Sequence, residues 1–215
     1  MRGGGLMPTP CTYNGSLTRE QFLLREMRIT ARTLIQEHLD QERASQRICA
    51  DNLYQYPTER EQRSIARACI RRLMGVSSDA MTREALIDLV ANGSSEQAAQ
   101  AVVYALMCDN RLVWEFMTIL VAERYSAHDL TLTNQDITSF VNGIAASNET
   151  VAGWSDATRN KIRQVLNRML VDAGFKENVR TSELLPVYLD AELAHIMQAN
   201  GDAPALAAFG ARGEA

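Results

Sequence analysis

Ligand spacings, phosphate loops and long apolar runs are all missing from this chain. Its four cysteines, Cys11, Cys49, Cys69 and Cys108, contain no CxxC pair, so neither a zinc ribbon nor a dithiol redox centre is encoded. His38, His128 and His195 lie scattered, and each reads as a surface or helix-end residue rather than a metal ligand. No GxGxxG follows a strand, and there is no Walker loop and no GxSxG, which removes the usual signatures of nucleotide binding and acyl transfer. No catalytic residue, cofactor, metal or small-molecule substrate is therefore expected, and the chain does not read as an enzyme. No apolar run approaches the about 18 residues that a membrane span needs; "AVVYALM" and "MTILVA" are short core segments. With no signal peptide, the cysteines are expected to be reduced thiols of a cytoplasmic protein. Aromatics make up 6% of the chain, and none pairs into an exposed base-stacking platform: Trp114, Phe116 and Tyr125 read as core, Trp154 as a packing anchor. Lysine is scarce as well, since 20 of the 22 basic residues are arginine, the side chain whose planar fork suits phosphate and guanine edges.

What is present is helical periodicity punctuated by caps. Apolar residues are 46% of the chain, enough for a packed core. Thr18 with Gln21 reads as a capping box opening a helix to about His38, and a second helix covers about 40 to 51. Pro57 stops continuation, Thr58 with Glu61 reads as another capping box, and the helix from Glu59 to Met74 ends at Gly75, a natural residue just past a helix end. Segments 79–91, 95–108 and 111–126 follow, then a Thr133-capped helix from about 134 to 146. Ser155 caps a helix that Gly174 stops. Residues 175–188 read as a short hairpin or an extended connector, and a short helix covers about 190 to 199. Strand signals are weak throughout, so the fold is expected to be all-α: a compact bundle of about nine or more helices. The expected organisation is a flexible lead over 1–12, a basic helical unit over 13–75, an acidic central bundle over 76–132, a second unit over 133–209 and a frayed tail over 210–215.

The net charge of −4 argues against a nucleic-acid binder, but its distribution does not. Residues 13–75 hold 11 basic and 8 acidic groups, residues 76–154 hold 3 and 10, and residues 155–180 hold 6 and 3. Two basic islands flank an acidic middle. In the first, Ile65, Ala66, Cys69 and Leu73 share one helix face, while Arg60, Arg63, Arg67 and Arg71 fall within roughly 80° of arc on the opposite one. In the second, Ile162, Val165, Leu166, Met169 and Leu170 form the apolar stripe, and Asn160, Arg163, Gln164 and Asn167 share a polar face beside it. Asn, Gln and Arg make bidentate contacts to base edges, whereas a merely solvated face is built more cheaply from Glu and Lys. The two helices also echo each other: with Thr58 placed on Ser155, Ile65 meets Ile162, Cys69 meets Leu166 and Leu73 meets Leu170, as two related helix-turn-helix units would. The bridges ahead of both, about seven residues, are longer than a compact turn of about 3–4 residues.

Four stretches taken together carry a family resemblance: "YNGSLTREQFLLREMRITARTL", "DNLYQYPTEREQRSIARACIRRL", "AVVYALMCDNRLVWEF" and "VAGWSDATRNKIRQVLNRMLVDAG". In order and spacing they resemble the BrxA family of bacteriophage exclusion (BREX) defence systems, over roughly Tyr13 to Phe209. The resemblance implies a small all-helical protein encoded among BREX core components that binds double-stranded DNA through two helix-turn-helix units, with other BREX proteins as partners. On this chain the family's basic helices fall on Arg60, Arg63, Arg67 and Arg71, and on Arg159, Asn160, Lys161, Arg163, Gln164 and Asn167. The choice of DNA-contacting residues within each helix rests on helical geometry. A protein-interaction module working through the acidic middle, or an RNA-binding helical protein, are the alternatives. Members have often been labelled inner-membrane proteins, a label this sequence does not support.

Overall fold

The structure, a computed structural model, describes residues 12–210. The flexible lead expected over 1–12 lies almost wholly outside the described residues, as does the tail beyond Gly210. The architecture is all-α. In chain order it runs α1 (Leu24–Gln36), α2 (Gln41–Ala50), α3 (Glu59–Met74), α4 (Ala80–Asn92), α5 (Ser95–Asp109), α6 (Arg111–Glu115), a π-helical turn (Phe116–Val121), α7 (Ala122–Ser126), α8 (Asn134–Ser147), α9 (Glu149–Ala152), α10 (Asp156–Asp172), α11 (Ala191–Ala199) and α12 (Ala203–Ala208). Among the described residues there is no strand, only an isolated bridge between Thr131 and Glu183. The segment after α10 is therefore an extended connector, not a hairpin. One hydrophobic cluster runs from Leu17 to Phe209 and draws on all three expected segments; α1 packs on α3 and α4, and α5 is buried along most of its length.

Most helix starts follow the side-chain chemistry directly. Asp40, Thr58, Asp79, Ser94, Asn110, Thr133, Asn148, Ser155 and Asp190 each accept from a main-chain N–H in the first turn of the next helix, satisfying donors that have no partner within the helix. Gly174 stops α10 at φ 79°, where Phe175 N donates to Leu170 O at 2.7 Å and Gly174 N to Val171 O at 3.1 Å, a left-handed helix end that only glycine enters without strain. Gly75 works differently. Its φ is −85°, and glycine is needed there because a Cβ would approach Arg71 O to 2.8 Å.

The first helix departs from the expected start. Residues 16–18 form a 3-10 turn, Thr18 Oγ1 donates back to Gly15 O, and α1 begins only at Leu24, behind Leu23 in a left-handed conformation at φ 58°. The cause is tertiary. The carbonyls of Glu20 and Gln21, which would accept from Leu24 and Arg25 N–H early in a helix capped at Thr18, are taken by the Arg72 guanidinium, with 2.9 Å to Gln21 O. Leu17 and Phe22 are pulled into the core on either side. A second departure precedes α10. The long bridge read from sequence contains the one-turn helix α9, so only residues 153–155 separate it from α10. The stretch 111–126 is helical as expected, with a π turn that a 3.6-residue period does not register.

Candidate nucleic-acid interface

Burial of Ile65, Ala66, Cys69 and Leu73 turns Arg60, Arg63, Arg67 and Arg71 outward, and all four are exposed. With Glu20, Glu59 and Ser64 they line one shallow concavity. They are not equivalent. Arg63 is ion-paired to Glu59 one turn back, a contact worth a few tenths of a kcal/mol at most and easily exchanged for another anion. Arg71 is a strut: its Nε and Nη2 donate to both oxygens of Asp109 at 2.7 and 2.9 Å and Nη2 also to Glu20 at 2.6 Å. Hydrogen bonding to Asp109 holds its pKa above the ordinary arginine value. Arg60 and Arg67 have no carboxylate within ion-pair reach among the described residues. The expected set of four thus resolves into two unpaired arginines, one loosely held and one committed to the fold.

Beside this face lies a residue that sequence reading passed over. Arg72 is 1% exposed. It donates to the two main-chain carbonyls noted above and to Asp109 at 3.4 Å, with Glu20 Oε2 at 3.8 Å. A signal was present: Arg72 stands seven residues after Ile65, on the apolar stripe.

Helix α10 presents its own mixture. The apolar stripe Ile162, Val165, Leu166, Met169 and Leu170 is buried as the periodicity predicts. Asn160 and Gln164 are exposed, while Arg159, Lys161 and Arg163 are half-buried. Arg159 pairs with Asp156 at 2.6 Å and donates to Ala152 O at 3.2 Å, clasping the turn that precedes its helix. Lys161 and Arg163 meet no carboxylate within ion-pair reach among the described residues.

Asn167 is the correction. It was placed on the open polar face, yet it is only 7% exposed. Its Nδ2 donates to Asn134 Oδ1 at 3.0 Å and to Val179 O at 2.8 Å, and its Oδ1 accepts from Lys176 Nζ at 3.3 Å. The connector beyond Gly174 folds back over it and carries Lys176, 2% exposed, whose ammonium also donates to Leu132 O at 2.8 Å. Burial pulls the Lys176 pKa below the ordinary lysine value, with the nearby Asp136 charge opposing it only in part. Asn167 is therefore spent on joining α8, α10 and the connector. Asn167→Ala is expected to lower unfolding free energy by about 1–3 kcal/mol, because it removes one of the two acceptors of the buried Lys176 ammonium and the donor to Val179 O. Duplex affinity of the folded protein should stay within about twofold, since no phosphate contact is lost. Denaturant unfolding and a binding titration on the same sample check this; lost affinity at unchanged stability would return Asn167 to the interface.

The two basic faces are joined by a segment remote from both in sequence. Arg19 and Gln21 are exposed. Glu20 lines the arginine concavity of α3. Gln21 lines a second concavity with Lys161, Gln164 and Arg168 of α10, and a third with Arg19 and Arg168. The polar surface thus runs from Arg60 and Arg67 across the Arg19–Gln21 turn to Gln164 and Lys161. Arg19, Gln21 and Arg168 had no local signal marking them.

The remaining chemistry is spare. Among the described residues no group of three His, Cys, Asp or Glu side chains stands close enough to hold a metal ion. Cys49, Cys69 and Cys108 are free, and burial pushes the Cys69 thiol up to about 12, which keeps it protonated and unreactive at neutral pH.

Comparison with known proteins agrees with this architecture. A solved structure titled "Crystal structure of an uncharacterized protein from Magnetospirillum magneticum" superposes with a TM-score of 0.73 at 20% identity, covering 94% of this chain and 98% of that one, a likeness of fold. A "BREX protein BrxA" of Bacillus cereus (strain H3081.97) is 26% identical over 191 residues, 88% of this chain and 92% of the relative. Another "BREX protein BrxA", of Escherichia coli O9:H4 (strain HS), is 25% identical over 199 residues, 93% of this chain and 90% of the relative. The sequence model of the BrxA family matches residues 11–201, nearly the whole chain, and the protein belongs to that family.

Proposed function

We propose that the protein is a non-catalytic, double-stranded DNA-binding component of a BREX-type bacteriophage defence system, working in the cytoplasm beside other BREX proteins. The observation that carries the reading is the Arg19–Gln21 turn, which links the outward arginines of α3 to the polar face of α10. Two separate basic helices would each hold a duplex weakly; one joined surface adds their phosphate contacts on a single ligand. On this reading Arg60, Arg63 and Arg67 hold phosphates and α10 enters or skirts the major groove as the second helix of an α9–α10 helix-turn-helix, with α2–α3 as the other unit. Its amides Asn160 and Gln164, with Arg163 and Lys161, face the bases or the backbone beside them. The names of the two BREX relatives supply the defence context. No helix among the described residues is long and apolar enough to cross a membrane.

Fluorescence anisotropy with a duplex across a salt series tests this. Binding should weaken steeply, with a log–log slope of about −3.6 to −4.5, the range that four or five phosphate contacts give at about −0.9 each. No binding at low salt would overturn the reading. Single-stranded DNA or RNA competing better than duplex would replace it with the RNA-binding alternative.

A further inference from the structure

A groove of about 1010 Å³ runs between α1, the start of α3 and the end of α10. Arg25, Arg28 and Arg32, spaced three and four apart along α1, form one wall, with Arg168 of α10 facing them and Arg19 at the mouth. Five arginines thus stand against three carboxylates, Glu26, Glu61 and Asp172. The pairing within the groove is incomplete. Arg25 reaches Glu26 at 3.5 Å and donates to Tyr54 O at 3.0 Å, and Arg168 meets Asp172 at 2.7 Å. Arg28 and Arg32 donate to the main-chain carbonyls of Gly93 and Ala91 instead. Among the described residues Arg28 Nε is shut away from solvent with no acceptor, and Arg19 has no carboxylate within ion-pair reach. Between the arginines Leu23, Leu24 and Ile29 are only partly covered, so aliphatic surface interrupts the charged lining.

A cationic rim around half-covered aliphatic side chains is the complement of a segment with carboxylates on its flanks and aliphatic side chains between them. We propose that this groove docks an acidic amphipathic segment of a partner protein. Arginine forks around the rim take the carboxylates, and Leu23, Leu24 and Ile29 receive the apolar side chains, the arrangement by which protein interfaces combine arginine anchors with apolar contact. Nucleic acid fits the groove less well. A phosphate backbone brings no aliphatic groups to the floor, and the aromatics lining it offer no stack for unpaired bases: Phe22 is buried and Tyr56 packs on Tyr54 with ring centroids 5.7 Å apart. The site lies next to the proposed DNA surface, sharing Arg19, Gln21 and Arg168 with it, but its occupancy does not depend on DNA binding.

The full chain would be titrated with a labelled acidic helix carrying Leu at i, i+3, i+4 and i+7 and Glu elsewhere. Two further arms are the same peptide with every Leu changed to Gln, and a single-stranded oligonucleotide. The first peptide should bind, and the Gln version at least about tenfold more weakly, since it keeps the charge and loses the aliphatic burial. The double variant Arg25→Glu/Arg168→Glu, at two exposed rim positions, should weaken the first peptide at least about tenfold. Arg60→Glu/Arg67→Glu, on the outer face of α3, should leave it within about twofold. Circular dichroism confirms that each variant is folded. No binding of the first peptide, equal binding of the Gln peptide, or an oligonucleotide that binds through Arg25 and Arg168 where the peptide does not, each overturns the proposal.

Discussion

Changing Arg60 and Arg67 together to glutamate is expected to cut duplex affinity about a hundredfold at about 50 mM salt and to flatten the salt slope by about 1.8 units. The magnitude follows from counterion release. Each phosphate contact contributes about 0.9 to the slope, so at that salt each is worth about an order of magnitude in affinity. These two arginines are the ones for which the prediction is sharpest, because among the described residues neither has an ion-pair partner to lose. Arg63 gives up its bond to Glu59 on binding, so Arg63→Ala should cost less. Arg71→Ala should act mainly on stability, by about 1 kcal/mol, since its charge is half-exposed and already neutralised by Asp109 and Glu20. Anisotropy titrations at three or more salt concentrations separate affinity from slope. If the double variant moves neither, α3 does not hold the duplex, whatever α10 does.

The largest effect on the fold is expected from Arg72→Ala, a loss of about 3–5 kcal/mol, the cost of breaking a buried charge pair from one side. For a chain of this size that lowers Tm by roughly 10 °C. The side chain fills space that nothing replaces, and its removal strips the carbonyls of Glu20 and Gln21 of their donors. Arg72→Lys should recover only part, because an ammonium cannot span two carbonyls and a carboxylate with a planar fork. A consequence separates this from ordinary destabilisation. Arg72 holds the 19–21 turn that joins the two basic faces, so Arg72→Lys, measured while fully folded, should also weaken duplex binding. Denaturant unfolding gives the first quantity and anisotropy below the melting range gives the second. A variant that is destabilised but binds DNA unchanged would show that the turn does not contribute.

Much of the helical layout was legible because it rests on contacts between near neighbours. A cap such as Ser155 to Thr158 N, or a stop such as Gly174, is complete within a few residues, so its letters suffice. The start of α1 was misread for the opposite reason. Thr18 and Gln21 have the letters of a capping box, but the carbonyls that would open that helix are taken by an arginine 51 residues away in the chain. Asn167 was misread in the same way. On the helical wheel it borders the polar face, and only the return of Lys176 and Val179 over it shows that its amide is already in use.

By itself, then, the sequence determined the all-α class, the buried stripes of α3 and α10, and the division of charge into two basic islands around an acidic middle. These follow from periodicity, capping and composition, which are local or additive. The tertiary structure alone decided which polar side chains on those helices are available. It buried Arg72 and Asn167, tied Arg71 to Asp109, left Arg60 and Arg67 without an ion pair among the described residues, and placed Arg19 and Gln21 between two helices that lie nearly a hundred positions apart along the chain. An exposed charge and a buried one are written with the same letter. What separates them is whether a distant segment brings its acceptor to that side chain, and packing alone sets that.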